Sequence, residues 1–167
     1  SDLVMTPSEN YNGIAQVTVT VTDGFLTDSE TFTLTVTPVN DAPILSSIAD
    51  QTTAEDISLT ISLSGTDVDG DDLSFSAVSD NNNVDVIVVG SELTMTPSAN
   101  YNGIAQVTVT VTDGFLTDSE TFTLTVTPVN NAPILIDIGD QVTAEDTPII
   151  ISLSGIDTDG DNLNFSA

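Results

Sequence analysis

The sequence contains no lysine, arginine, histidine, cysteine or tryptophan. Each absence closes off a class of chemistry. Without histidine there is no imidazole base and no imidazole metal ligand. Without lysine there is no Schiff base, and without cysteine there is neither a thiolate nucleophile nor a disulfide. Any catalytic site is restricted to carboxylates and hydroxyls. No run of about 18 apolar residues occurs, so no segment reads as membrane-spanning.

Against the missing cations stand 26 Asp and Glu residues in a chain of 167, a formal charge of −26. Nucleic acid is not an expected partner, because binding it needs Lys or Arg to displace counterions. Anionic membrane surfaces are disfavoured for the same reason. No salt bridge between side chains can form. Whatever neutralises the acids comes from solvent, and a divalent metal ion is the leading candidate. Disorder is the competing reading of so much charge. A hydrophobic fraction of 39% and a regular Val/Ile/Leu pattern argue for a folded chain instead. Ser1 falls in mid-pattern and no signal peptide is visible, so the sequence makes no direct statement about export.

An internal repeat dominates the sequence. Ser8–Pro43 and Ser98–Pro133 differ at only two of 36 positions, Glu9/Ala99 and Asp41/Asn131, at an offset of 90 residues. Ile44–Ala77 and Ile134–Ala167 match at the same offset, with 12 differences in 34 positions. The expected organisation is the C-terminal half of one repeat at 1–43, a complete repeat at 44–133, and the N-terminal half of the next at 134–167.

Within the complete repeat the hydrophobic period is two, the signature of half-buried strands. Leu59, Ile61 and Leu63 alternate with Ser and Thr, as do Leu73, Phe75 and Ala77. Val84, Val86 and Val88 follow, then Leu93 and Met95, Val107, Val109 and Val111, and finally Phe122, Leu124 and Val126. A short first strand near Ile44–Ile48 brings the total to seven. Asp69-Gly70, Gly90-Ser91, Asn102-Gly103 and Asp113-Gly114 mark turns between them. Seven short strands in one repeat predict an all-β, immunoglobulin-like sandwich. Its expected core includes Leu59, Ile61, Phe75, Val86, Val109, Val111, Phe122 and Leu124. Tyr101, just before the Val107–Val111 strand, is expected to act as a tyrosine corner.

The segment VTDGFLTDSETFTLTVTPVNDAP, beginning at Val21, resembles the end of a cadherin repeat, with its x-D-x-G turn, last strand and N-D-N-x-P-like linker. Ala54-Glu55-Asp56 resembles the early acidic motif of that family, and Asp67-Val68-Asp69-Gly70-Asp71 its D-x-D motif. The chain resembles the cadherin-like, bacterial immunoglobulin-like tandem repeats of giant surface adhesins. That resemblance implies calcium bound at junctions between consecutive repeats. It assigns Asn40, Asp41, Asp67, Asp69 and Asp113 to the first junction. It assigns Glu55, Asn130, Asn131, Asp157 and Asp159 to the second, and Glu145 to a third. The family's D-R-E motif falls at Ser98-Ala99-Asn100-Tyr101, which has no carboxylate; its counterpart Ser8-Glu9-Asn10-Tyr11 keeps one. Fewer ions per junction than in a vertebrate cadherin are implied.

The residues support calcium on their own chemistry. Calcium takes about six to eight oxygen ligands, which carboxylates and Asn carbonyls supply. Asp67, Asp69 and Asp71 alternate along five residues and repel one another unless a counterion is present. An EF-hand is excluded, because Gly70 stands fourth from Asp67 and Val78 twelfth. The bland alternative is that this segment is only a solvated turn, since Asp and Gly favour turns.

Three functions compete. The first is an extracellular stalk or filament of tandem repeats, whose short Pro128–Pro133 linker is braced by calcium. The second is a glycan- or ice-binding module presenting Thr108, Thr110 and Thr121–Thr127, although Thr also suits exposed strands on propensity alone. The third is an enzyme built on a carboxylate pair; near-identity of the two copies argues against it. The expected partners are neighbouring repeats of the same chain or other copies arranged head to tail. In either arrangement Leu153 and Phe165 are expected in one core with Val19, Val21, Phe32 and Leu34 of an adjoining copy.

Overall fold

A computed structural model describes residues 1–167, and it is all β. No helix is long and apolar enough to cross a membrane. The strands in chain order are β1 (Gly13–Thr22), β2 (Thr27–Val36), β3 (Ile44–Leu45), β4 (Gln51–Ala54), β5 (Leu59–Ser62) and β6 (Gly65–Thr66). They continue with β7 (Ser74–Ser79), β8 (Val84–Val89), β9 (Glu92–Pro97), β10 (Gly103–Thr112), β11 (Thr117–Thr127), β12 (Ile134–Leu135) and β13 (Gly155–Ile156).

The sandwich closes between Gln51 and Thr127. One sheet has four strands in the order β4-β11-β10-β7, the other three in the order β5-β9-β8. These are seven strands, as expected, but the first is not where the hydrophobic pattern placed it. Ile44–Leu45 forms only a two-residue pairing with β6, and the sheet's own first strand is β4, parallel to β11. The reason is that β4 reads Gln-Thr-Thr-Ala and offers no apolar alternation, while its pairing partner lies 73 residues away at Leu124. Three carboxylates secure the segment before β4 to the sheet. Leu45 N donates to Asp118 Oδ2 (2.9 Å), Ile48 N to Glu120 Oε2 (3.0 Å), and Asp50 Oδ1 accepts from Thr123 N (2.7 Å).

Alternation puts one face of each strand inward. Val107, Val109, Val111 and Leu124 are fully buried, with Phe122 and Val126 beside them. Of the eight expected core residues, Val109, Val111, Phe122 and Leu124 are buried, and Leu59, Ile61, Phe75 and Val86 pack against them half-buried. Leu93 and Met95 of β9 are also fully buried. Burying each such side chain contributes roughly 1.5–3 kcal/mol relative to leaving it in water.

The β1–β2 hairpin repeats the β10–β11 hairpin in sequence and in register: Gly13 faces Val36 as Gly103 faces Val126. Its environment differs. Phe32 is 37% exposed where Phe122 is 2%, and Val21 is 68% exposed where Val111 is 0%. The turn and the strand pattern, the same in both copies, give the same register.

Tyr101 does act as a corner. Its Oη donates to Ile104 O (3.3 Å) and accepts from Asn81 Nδ2. The ring leaves no room for a side chain at residue 103: a Cβ there would stand 2.6 Å from Tyr101 Oη, and Gly103 has φ +148°. Tyr101→Phe removes both bonds and keeps the ring. We expect a loss of about 1 kcal/mol in urea unfolding, the usual net worth of such bonds. An unchanged midpoint would show that the phenol is incidental.

Candidate junction sites

The Asp67–Asp71 turn sits between the short strand β6 and β7. Asp67 Oδ1 accepts from the N–H groups of Asp69 (2.8 Å), Gly70 (3.0 Å) and Asp71 (3.4 Å). Gly70 at φ +81° lets the chain fold back tightly enough for this. With Oδ1 occupied by backbone donors, Asp67 Oδ2 is buried and has no hydrogen-bond partner. One carboxylate oxygen from each of Asp67, Asp69 and Asp71 lies within 4.8 Å of the others.

The linker enters the same place. Asp41 N donates to Asp69 Oδ2 (2.8 Å), and Asn40 Nδ2 donates to Asp113 Oδ2 (2.8 Å). Asp113 Oδ1 accepts from Phe115 N (2.6 Å) and Leu116 N (2.7 Å), which closes the β10–β11 turn. Hydrogen bonds thus tie Asn40 to Asp113 and Asp41 to Asp69, with Asp67 and Asp71 beside Asp69. A cleft of about 210 Å³ between linker and turn is lined in part by Asn10, Asn12, Asp41 and Asp69.

The electrostatics is that of a cluster with nothing positive in it. Asp71 has its pKa raised, first by desolvation and then by the charges of Asp67, Asp69, Asp113 and Asp72. Asp113 is lowered, first by the hydrogen bond from Asn40 and then by the Leu116 and Phe115 N–H groups. Asp23, the counterpart of Asp113 in the first hairpin, is lowered by the Leu26 and Phe25 N–H groups.

The second junction repeats part of this geometry. Asn131 N donates to Asp159 Oδ2 (2.6 Å), as Asp41 N does to Asp69. Asp157 Oδ1 accepts from Asp159 N (3.0 Å) and Asp161 N (3.1 Å). Asn130 Nδ2 bonds to Asn131 O (3.2 Å) and has no carboxylate partner like that of Asn40. Asp157, Asp159 and Asp161 do not draw together as closely as their counterparts.

Glu55 is brought to the linker rather than to Asp157 or Asp159. Its side chain is 2% exposed; Oε1 accepts from Val129 N (2.8 Å) and Oε2 from Asn102 Nδ2 (3.4 Å). Glu145, its counterpart, is exposed and only its backbone carbonyl is engaged, by Thr147 Oγ1 (3.4 Å).

Sequence reasoning missed several participants. Asn102 holds Glu55, and Asn100 lies 3.5 Å from the Asn131 amide at the second junction. Asp118, Glu120 and Asp50 secure the segment after the linker. Only Asn100 had a signal in the sequence, its place in the stretch that aligns with the acidic D-R-E motif.

The Thr-rich faces have their hydroxyls directed at one another. Thr108 pairs with Thr121 (2.7 Å), Thr18 with Thr31 (2.8 Å), and Thr60 with Thr94 (2.9 Å) across adjacent strands. Cross-strand pairing of this kind supports the sheet itself.

Comparison with known proteins places the chain. The signature of the cadherin-like domain matches residues 39–127. No curated relative matches the chain. Among solved structures, human protocadherin-24 EC1-2 is 18% identical, with TM-score 0.44 over 71% of this chain and 61% of that one. Domains 1–6 of the surface layer protein SbsC are 19% identical, with TM-score 0.42 over 75% of this chain and 18% of that one. An endo-fucoidan hydrolase of glycoside hydrolase family 107 is 19% identical, with TM-score 0.41 over 74% of this chain; the chain spans only 20% of that enzyme's length. Cadherin-like domains are usually extracellular, typically non-enzymatic modules, and by its sequence signature and sandwich fold this chain belongs to the cadherin-like domain family.

Proposed function

We propose that the chain is a structural element of an extracellular stalk or filament, built from tandem repeats of 90 residues and stiffened by calcium at the junctions. The observation that carries this reading is the buried Asp67 Oδ2, which lacks any hydrogen-bond partner while Asp69 and Asp71 crowd beside it. A buried polar atom left unpaired is costly, and a cation is the partner that removes both the vacancy of bonding and the repulsion. The donor set fits calcium. It is all oxygen, and ligands at about 2.3–2.6 Å from one ion stand at most about 5 Å apart, compatible with the spacing of this triad. Asp67, Asp69 and Asp71 would hold the ion, with Asp41 and, through Asn40, Asp113 hydrogen-bonded into the same cluster. Bound calcium supplies charge neutralisation and no reaction.

The mechanical consequence follows from where these residues sit. Asn40 and Asp41 belong to the linker, whereas Asp67, Asp69 and Asp113 belong to two different turns of the following sandwich. An ion shared among them ties linker and sandwich into one body. Calorimetric titration of the 167-residue chain should show calcium binding at roughly 10⁻⁴–10⁻³ M, the range of extracellular modules. Absence of binding at ten times that concentration would sink the proposal.

Asn131 stands at the second junction where the first has Asp41, which removes a charge there and keeps a carbonyl oxygen. Asn131→Asp should therefore tighten the weaker class of calcium sites several-fold and leave the tighter class unmoved. Equal tightening of both classes would place this residue outside the second site.

A further inference from the structure

We propose that Glu55 is a positioning residue that fastens the outgoing linker to its own sandwich without metal. The calcium reading ties a linker only to the sandwich that follows it. Glu55 holds the linker to the sandwich that precedes it, so a junction has one permanent catch and one that needs the ion. The proposal rests on the calcium reading for the following side alone; the preceding side stands on hydrogen bonds of the chain itself.

Strand β4 runs parallel to β11, with Thr53 opposite Val126 and Ala54 opposite Thr127. Past β4 the ladder continues for one more bond, from Glu55 N to Thr127 O (2.9 Å). In a parallel pair the next bond would run from Val129 N back to the carbonyl of Glu55. Pro128, between Thr127 and Val129, has no N–H to offer. The chain turns away here, with Asp56 at φ +63°. Val129 N meets Glu55 Oε1 instead, at 2.8 Å. The side chain therefore takes the acceptor place of its own backbone and carries the ladder beyond the end of β11 into the linker.

The same turn reaches the linker by a second route. Asp56 Oδ1 accepts from Asn100 N (2.9 Å), and Asn100 Oδ1 accepts from the Asn131 amide (3.5 Å). Thr127 Oγ1 closes the exit by donating to Thr53 O (3.2 Å). Glu55 is buried, so water competes little for its bonds, and a carboxylate accepting a backbone N–H is among the stronger hydrogen bonds. Its other oxygen, Oε2, takes Asn102 Nδ2 (3.4 Å). Both oxygens of Glu55 thus have donors, whereas Asp67 Oδ2, the oxygen that argues for an ion, has none. Loss of calcium would then free the far side only. The junction would bend where Asn131 N meets Asp159 Oδ2, and the linker would move with the sandwich it leaves.

The test is backbone relaxation measured by NMR on the full 167-residue chain in chelator. Val129 should have an order parameter of about 0.85, that of rigid backbone and equal to that of Val109 in β10, and saturating calcium should leave it there. Glu55→Ala should drop Val129 below about 0.6 while β10 keeps its value. Glu55→Gln, which retains an oxygen for Val129, should stay near the parent and should bind calcium as the parent does in calorimetric titration. Three results would each overturn the proposal: a Val129 that is mobile in the parent until calcium is added, a Val129 that stays ordered in Glu55→Ala, or a calcium site lost in Glu55→Gln. A parent that binds no calcium would end the calcium reading instead, and Val129 in chelator would still decide the role of Glu55.

Discussion

Calcium at about 100 times its dissociation constant should stabilise the central sandwich by about 2.7 kcal/mol, and Asp67→Asn should abolish most of that gain. For a domain of this size the gain corresponds to a rise in Tm of roughly 10–20 °C. The substitution is chosen for what it keeps. An asparagine carbonyl at residue 67 can still accept from the Asp69, Gly70 and Asp71 N–H groups, so the turn survives. The amide nitrogen replaces the buried, unpaired Oδ2, putting a donor where a cation needs an acceptor. Without calcium the variant should melt no lower than the parent, because one of the charges raising Asp71 has gone. Scanning calorimetry with calcium and with chelator reads all four values. An equal calcium-induced rise in parent and variant would rule out Asp67 as a ligand.

The pH dependence of the metal-free chain has two opposed parts. Asp71 is raised, so its contribution to stability is greatest below the ordinary carboxylate range and is lost as pH rises through its raised pKa. Asp113 is lowered, so its contribution is present above the ordinary range and is lost as pH falls through its depressed pKa. Calcium reverses the first, since binding needs Asp71 ionised, and Asp71 is the member of the cluster shifted towards taking up a proton first as pH falls.

The parts of the fold legible in the sequence are those fixed by nearest neighbours along the chain. Val107, Val109 and Val111 alternate with Thr because one face of β10 is buried, and Asp113-Gly114 marks the turn to β11. The same hairpin, in the same register, forms at β1–β2. The Asp67–Asp71 turn is equally local: one side chain accepts the next three available N–H groups. What escaped is set by partners distant in sequence. Strand β4 is polar and is a strand only because Leu124–Thr127 offers it a parallel edge. Asp118 and Glu120 read as ordinary exposed strand acids until Leu45 and Ile48 arrive from 73 and 72 residues away. Glu55 illustrates the same limit within the site. The acidic motif was visible, but only packing shows that both its oxygens are engaged by donors from the linker and from Asn102.

Glu55→Ala should cost the metal-free chain about 2–3 kcal/mol, and Glu55→Gln distinctly less. Glu55 is the only acid in the chain that is buried, and no cation lies near it. Burial of a carboxylate works against the fold, so its retention must rest on what it accepts. Oε1 takes Val129 N at 2.8 Å, a hydrogen bond between a charge and the backbone worth roughly 1.5–3 kcal/mol. The longer contact from Asn102 at 3.4 Å adds less. Alanine leaves the Val129 N–H without this acceptor just where β11 passes into the linker, and it opens space at a buried position. Glutamine keeps one carbonyl oxygen for Val129 and removes the desolvated charge, so the two changes largely offset. The order therefore separates a role in accepting hydrogen bonds from a role as charge alone. If both variants lose equally, charge is what matters at residue 55. If the role is as argued, amide exchange at Val129 should accelerate in Glu55→Ala well before exchange in β10, because the linker is freed while the core of Val107, Val109 and Val111 stays closed.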